Sequence, residues 1–268
     1  MFRPAALALL VAVAACGGHR RTPALLPTSR VPSPPASGLA LLRRMHDAYS
    51  GRWYRTLSFV QTSSFPDGHQ ETWYEAMTVP GRLRIDIAPL DSGKMSLFRN
   101  DSIYTFERGA LARSGPFVHP LLVLGFDVYA ESPDTVAAKL AALGVNLQKL
   151  RTDTWQGRPV WVVGADAGDT TSMQFWVDTE RLVFVRMLER REPPANAANA
   201  KPRQIETQFN RYQPLGGGWI SPEVLFYVNG QLRLKEEYHQ IQADVALPDS
   251  LFDPAGYRKP EWVRSLGA

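Results

Sequence analysis

From residue 37 onward the apolar positions fall into two periods. Leu39, Leu42, Met45 and Tyr49, with Leu41 and Ala48 beside them, recur at three- and four-residue spacing between Ser37 and Gly51. An N-cap residue before the run and a glycine after it predict an amphipathic helix. A second helix is predicted from Ser132-Pro133-Asp134, where cap, first-turn proline and first-turn acid stand in order. It ends at Gly144 and has Val136, Leu140 and Leu143 on its apolar face.

Most of the remainder alternates with period two. Leu57 and Phe59 stand two apart, Trp73, Glu75 and Met77 oppose Tyr74 and Ala76, and Leu83, Ile85 and Ile87 alternate with Arg82, Arg84 and Asp86. This is the pattern of strands with one wet face. Further strands are expected near 146–154, 159–165, 172–178, 182–191, 203–212, 219–228 and 231–242. Turn chemistry falls at Pro66-Asp67-Gly68, Pro80-Gly81, Asn100-Asp101 and Gln156-Gly157, and Asn229-Gly230 is the strongest hairpin signal. Consecutive strands with short turns imply an antiparallel meander, since parallel pairs need crossovers. The expected fold class is α+β: one domain over residues 37–268, with about eleven strands in a strongly curved antiparallel sheet and two or three helices. The stretch 192–202, with Pro193, Pro194 and an Ala/Asn run, reads as a long mobile loop.

Charge changes the picture at the N-terminus. The chain has 30 basic and 26 acidic residues, and four of the basic ones (Arg3, Arg20, Arg21, Arg30) lie in residues 1–36, which hold no acid. The body is therefore neutral, with no basic stripe to neutralise phosphates, and nucleic acid is set aside as a partner. Arg3, an uncharged run over residues 5–15 and small residues before Cys16 have the layout of an export signal. Such a run spans roughly 16 Å as a helix, about half a bilayer core. The chain has a single cysteine, Cys16, so no intramolecular disulfide can form. Residues 17–37 are rich in Gly, Pro, Ser, Thr and Arg, which suits a solvated tether. The expected organisation is a signal peptide at 1–15, a lipidated Cys16 with a flexible tether to residue 36, and the domain thereafter.

Recognisable catalytic and metal patterns are lacking. The histidines are His19, His46, His69, His119 and His239, and none forms a zinc pattern; Glu237 and His239 share a strand face that ordinary exposed charges explain equally well. Gly216-Gly217-Gly218 precedes a strand, so it reads as a turn and not as a phosphate loop. No cofactor, metal or catalytic residue is assigned, although an enzyme with a dispersed site stays open.

What remains is apolar surface. Residues 116–126 hold seven large apolar side chains, including Phe117, Leu121, Leu122 and Leu124, between Pro116 and Pro120 and beyond. They read as a buried connection or as a lid over a cavity. Leu83, Ile85, Phe175, Val185, Met187, Phe209 and Phe226 lie on strand faces that two firm helices do not suffice to cover. Taken singly, each is better explained by core packing; together they favour a cavity that takes a hydrocarbon chain.

The order of elements resembles the LolA/LolB/LppX/RseB superfamily of bacterial lipoprotein and lipid carriers. The resemblance runs from the helix at Leu39 into Leu57-Ser58-Phe59-Val60-Gln61-Thr62, through Arg82-Leu83-Arg84-Ile85-Asp86 and Gln174-Phe175-Trp176-Val177-Asp178, to Pro248-Asp249-Ser250-Leu251-Phe252-Asp253-Pro254. Val13-Ala14-Ala15-Cys16-Gly17 likewise resembles the bacterial lipobox, which implies lipid attachment at Cys16. The resemblance implies an incomplete barrel around helices, a hollow that takes up acyl chains of a lipoprotein or lipid, no enzymatic activity, and an anchored position in the outer membrane facing the periplasm. It also leaves open an RseB-like role, a sensor or scaffold with a protein partner.

Overall fold

The structure is a computed structural model that describes residues 32–193 and 201–266. The signal-like segment, Cys16, the tether up to residue 31 and most of the loop expected at 192–202 lie outside the described residues.

Helix α1 is Gly38–Tyr49; the Ser37 hydroxyl accepts the Ala40 N–H, and Ser50 donates back to the His46 carbonyl. The expected helix near Ser132 is Pro133–Ala142, capped by the Ser132 hydroxyl on the Thr135 N–H. Between them the apolar middle segment forms a six-residue helix, Pro120–Gly125, that starts at its own proline behind a His119 cap. In chain order these are α1, α2 (Pro120–Gly125) and α3 (Pro133–Ala142).

The first six strands are β1 (Thr56–Ser64), β2 (Gln70–Thr78), β3 (Arg82–Ile87), β4 (Met95–Arg99), β5 (Ser102–Glu107) and β6 (Ala110–Pro116). Nine more follow α3: β7 (Leu150–Trp155), β8 (Arg158–Val163), β9 (Gln174–Asp178), β10 (Phe184–Arg191), β11 (Arg203–Asn210), β12 (Gln213–Leu215), β13 (Gly218–Ile220), β14 (Glu223–Val228) and β15 (Gln231–Ala243). Thirteen make one antiparallel sheet in the order β6-β5-β4-β3-β2-β1-β15-β14-β11-β10-β9-β8-β7, and β12 and β13 form a separate hairpin. The count exceeds the expected eleven, and for β6 the reason is local. Strand β6 is an edge strand with an almost wholly exposed sequence, so no buried face imposes an alternating pattern on it.

The sheet is two meanders joined in the middle, where β1 pairs with β15 from Leu57↔Ala243 to Ser64↔Lys235. Four hairpins turn on two consecutive residues with positive φ: Asn100-Asp101, Arg108-Gly109, Gln156-Gly157 and Asn229-Gly230. Their twist matches that of the flanking strands. Laid flat, thirteen strands would span almost 60 Å at about 4.8 Å spacing. Yet Phe98 on β4 and Trp161 on β8 belong to one core cluster with Leu41, Leu42 and Met45 of α1 and Val136 and Leu140 of α3. The sheet therefore curls around the helices, and its edges, β6 and β7, do not pair.

Helices α1 and α3 occupy one end of the concave face. The Gly38 N–H donates to the Leu147 carbonyl at 2.7 Å, and a side chain at Gly38 would meet Val163 Cγ1 at 2.7 Å. Aromatic rings pin the end of α1: Trp53, just beyond it, stacks on Tyr129 before α3, and Trp219 Nε1 on β13 donates to the Tyr49 hydroxyl at 2.9 Å. The expected triple-glycine turn lies here, because a Cβ on Gly217 would stand 1.8 Å from the Arg52 carbonyl oxygen. On the convex face the C-terminal segment covers β2 to β5 with a second cluster of Ala76, Met95, Leu97, Phe106, Leu251 and Phe252. The buried Arg84–Asp86 ion pair secures it, since Arg84 also donates to the Leu251 and Arg258 carbonyls and Trp262 donates to Asp86. Among the described residues, no helix is long and apolar enough to cross a membrane.

Candidate ligand-binding hollow

The other end of the concave face is not filled. A hollow of about 500 Å³ lies between the sheet and residues 117–126, a size within the roughly 300–1,000 Å³ common for small-molecule sites. Its wall runs across eight neighbouring strands, from Phe98 on β4 through Leu83 and Ile85 on β3, Met77 on β2, Phe59 on β1, Tyr238 on β15, Phe226 on β14 and Phe209 on β11 to Met187 on β10. The cause of the void is dimensional. Helix α2, with six residues, is about 9 Å long, whereas eight strands at about 4.8 Å spacing cover more than 30 Å. Side chains alone do not bridge the difference.

The opposite wall is the segment that leads into α2. Phe117, His119, Pro120, Leu121, Leu122 and Phe126 face the hollow. Phe117 is 38% exposed and sits at the rim, against Phe98 and edge-on to His119. The His119 ring accepts the Leu122 N–H through Nδ1, and burial, with the nearby Arg191 charge, brings its pKa down to about 4. It is thus a neutral cap. Gly125 lets α2 approach the sheet: a Cβ there would come within 3.1 Å of the Phe209 ring.

Of the residues singled out from the sequence, Leu83, Ile85, Phe117, Leu121, Leu122, Met187, Phe209 and Phe226 all border this hollow. Leu124 and Phe175 do not; both are fully buried in the core cluster. Val185 instead borders a second, more polar pocket with Arg158, Asp178 and Arg181. Leu124 and Val185 sit on the same helix or strand as residues that do face the void, whereas Phe175 lies on β9, one strand beyond its wall. Which part of an apolar face meets a helix is not encoded in its own pattern.

Sequence reasoning missed the polar side of the hollow. Glu75 on β2 and Glu236 on β15 line it, 5% and 8% exposed respectively. Glu236 accepts a hydrogen bond from the Tyr238 hydroxyl at 3.0 Å and is also bonded by Gln61. Burial pushes its pKa up to about 7. Among the described residues Glu75 has no hydrogen-bond or ion-pair partner, and burial together with the Glu236 charge pushes its pKa well above the usual carboxylate range. Glu189 and Arg191, an ion pair at 2.6 Å, complete the polar border. The one available signal was Glu75 itself, an acid in register with Trp73 and Met77 on a strand face that is otherwise apolar. Glu237 lies on the other face of β15, paired with Lys235 and Arg211, and among the described residues no three metal-ligating side chains cluster.

Neither a family model nor a curated protein matches the chain in sequence. Solved structures do match in fold. A DUF1329 family protein from Desulfovibrio piger shares 14% identity over 81% of this chain and 95% of its own, with a TM-score of 0.52. An outer membrane lipoprotein-sorting protein domain from Vibrio parahaemolyticus shares 11% over 81% and 96%, with a TM-score of 0.51. A LolA superfamily protein from Nitrosomonas europaea shares 10% over 81% and 97%, with a TM-score of 0.49. At these identities the likeness is one of architecture. The chain shares the fold of the lipoprotein-sorting domain and the DUF1329 protein, and its open antiparallel sheet curled around helices is the α+β architecture expected from the sequence.

Proposed function

We propose that this protein is an envelope carrier, anchored through a lipidated Cys16, that holds an acyl chain of a lipoprotein or lipid in its hollow for transport or sorting. The observation that carries the reading is the void itself: about 500 Å³ walled by aromatic and aliphatic side chains and bordered by a half-exposed apolar rim. An apolar space of this kind is filled most favourably by hydrocarbon. At about 0.8 kcal/mol per buried CH₂, ten methylenes contribute on the order of 8 kcal/mol, which favours uptake of a chain whose hold in the donor membrane is already loosened. Residues 117–122 form the mouth and move aside to admit the chain. The similarity in fold to a lipoprotein-sorting domain supports the same reading.

A scaffold role would call for a contiguous exposed apolar patch. The large exposed hydrophobics described are Leu111 on β6, Phe117 at the rim, and Leu232 on β15; five strands stand between Leu111 and Leu232 in the sheet. No observation favours that role over the carrier.

Titration of the purified protein with a fluorescent fatty acid tests the carrier reading. Saturable binding at micromolar concentration, displaced by an unlabelled fatty acid, is expected. No binding at that concentration, by the fatty acid or by a long-chain amine or alcohol, ends it.

A further inference from the structure

A carrier for plain hydrocarbon has no use for acids in its wall, and an unpaired buried carboxyl is costly to keep. Two buried acids, Glu75 and Glu236, stand in this wall, besides the ion-paired Glu189. Their treatment by the fold is unequal: Glu236 is held by Tyr238 and Gln61, whereas Glu75 faces the hollow with nothing among the described residues to meet it. Glu75 is 5% exposed and lines the hollow. The basic group that borders the same space, Arg191, is already paired with Glu189. The remaining ionisable groups there are His119, which is neutral, and Tyr238, which bonds Glu236.

A largely apolar wall with two buried acids, one of them unpartnered, is complementary to an aliphatic chain carrying a positive hydrogen-bond donor. We infer that the hollow selects amphiphiles with a protonated amine close to the chain, and that Glu75 is the group that receives the ammonium. This deepens the carrier reading and rests on it. Burial and the neighbouring Glu236 push the Glu75 pKa well above the usual carboxylate range, which favours the protonated acid while the hollow is free of ligand. On binding, the carboxyl O–H proton leaves to solvent and the carboxylate accepts N–H from the ammonium. One proton is therefore released for each ammonium bound, and the net charge inside the hollow is unchanged. A carboxylate-headed chain forms no ion pair with either acid, and the ionised fraction of Glu236 opposes its charge.

The test compares twelve-carbon probes that differ only in the head: dodecylammonium, dodecanol and dodecanoate, each titrated calorimetrically into the protein at pH 7 in two buffers of different ionisation enthalpy. Dodecylammonium is expected to bind at least ten-fold more tightly than dodecanoate and to release close to one proton, whereas dodecanol releases none. In Glu75→Gln the dodecylammonium-to-dodecanol affinity ratio drops at least ten-fold and the proton release falls to what the partly protonated Glu236 alone gives up. Equal affinities for the three heads, or an unchanged ratio in a folded Glu75→Gln protein, overturn the head-group inference and leave the carrier reading standing. If Glu75→Gln does not fold, the wild-type proton count decides alone: no release with dodecylammonium overturns it. Failure of all three probes to bind removes the carrier reading as well.

Discussion

Replacing Glu236 by glutamine isolates the cost of keeping an acid in the greasy wall. The side chain is 8% exposed and its pKa is pushed up to about 7 from an ordinary 4.5 by burial, against the hydrogen bonds from Tyr238 and Gln61. That gap corresponds to about 3 kcal/mol, at 1.36 kcal/mol for each tenfold change in proton affinity. The sign follows from linkage. Below pH 4.5 the carboxyl is protonated in folded and unfolded chains alike, and the acid carries no penalty. Between about pH 4.5 and 7 the unfolded chain gives up its proton while the folded one retains it, so the free energy of unfolding falls as pH rises; above 7 both are ionised and the loss is complete. Glutamine has the same shape, still accepts from Tyr238, and does not titrate. Glu236→Gln should therefore match the wild type near pH 4.5 and exceed it by about 1 to 3 kcal/mol at pH 8. Urea denaturation at pH 4.5, 6 and 8 measures this, provided the dependence on urea is the same for both proteins. A stability difference that is the same at all three pH values, or that favours the wild type at pH 8, would refute the reasoning. A group whose removal stabilises the fold is retained for another reason, and function is the usual one.

Three further outcomes are expected. Ile85→Trp on β3 places a larger ring into the void, so fatty-acid affinity should drop at least ten-fold while the thermal midpoint holds or rises; unchanged affinity would place the chain elsewhere. Phe252→Ala empties a fully buried position beneath the C-terminal segment on the convex face, and a loss of about 3–5 kcal/mol in urea unfolding is expected; a loss under 1 kcal/mol would show that this segment is not part of the cooperative unit. Cys16→Ser should move the protein from the membrane fraction to the soluble fraction of a lipoprotein-processing host, and continued membrane association in the variant would remove the anchor from the proposal.

How much of this was legible in the chain depended on how local each feature is. Caps, stops and hairpin turns are decided by a few neighbouring residues. Accordingly Ser37, Ser132 and Gly144 bounded the helices, and three of the four turns with paired positive φ were marked by their dipeptides. Arg108-Gly109 was not, because arginine at the first position is a weak turn signal and the following strand is exposed. Glu75 was visible as an irregularity in an apolar face, but its meaning depended on Glu236, 161 positions further on and reached only through the pairing of β1 with β15.

By itself the sequence determined an antiparallel α+β domain with more apolar strand face than its helices can cover, since period, turn chemistry and helix length are all short-range properties. The tertiary structure decided where the uncovered face lies. Only the curling of thirteen strands around α1 and α3 buries Leu124 and Phe175 in the core while leaving Leu83, Ile85 and Phe226 beside a void. The same curling brings two distant acids into that void. An alternating strand is indifferent to what it faces; whether it meets a helix, a carboxyl or empty space is settled by contacts between residues far apart in the chain.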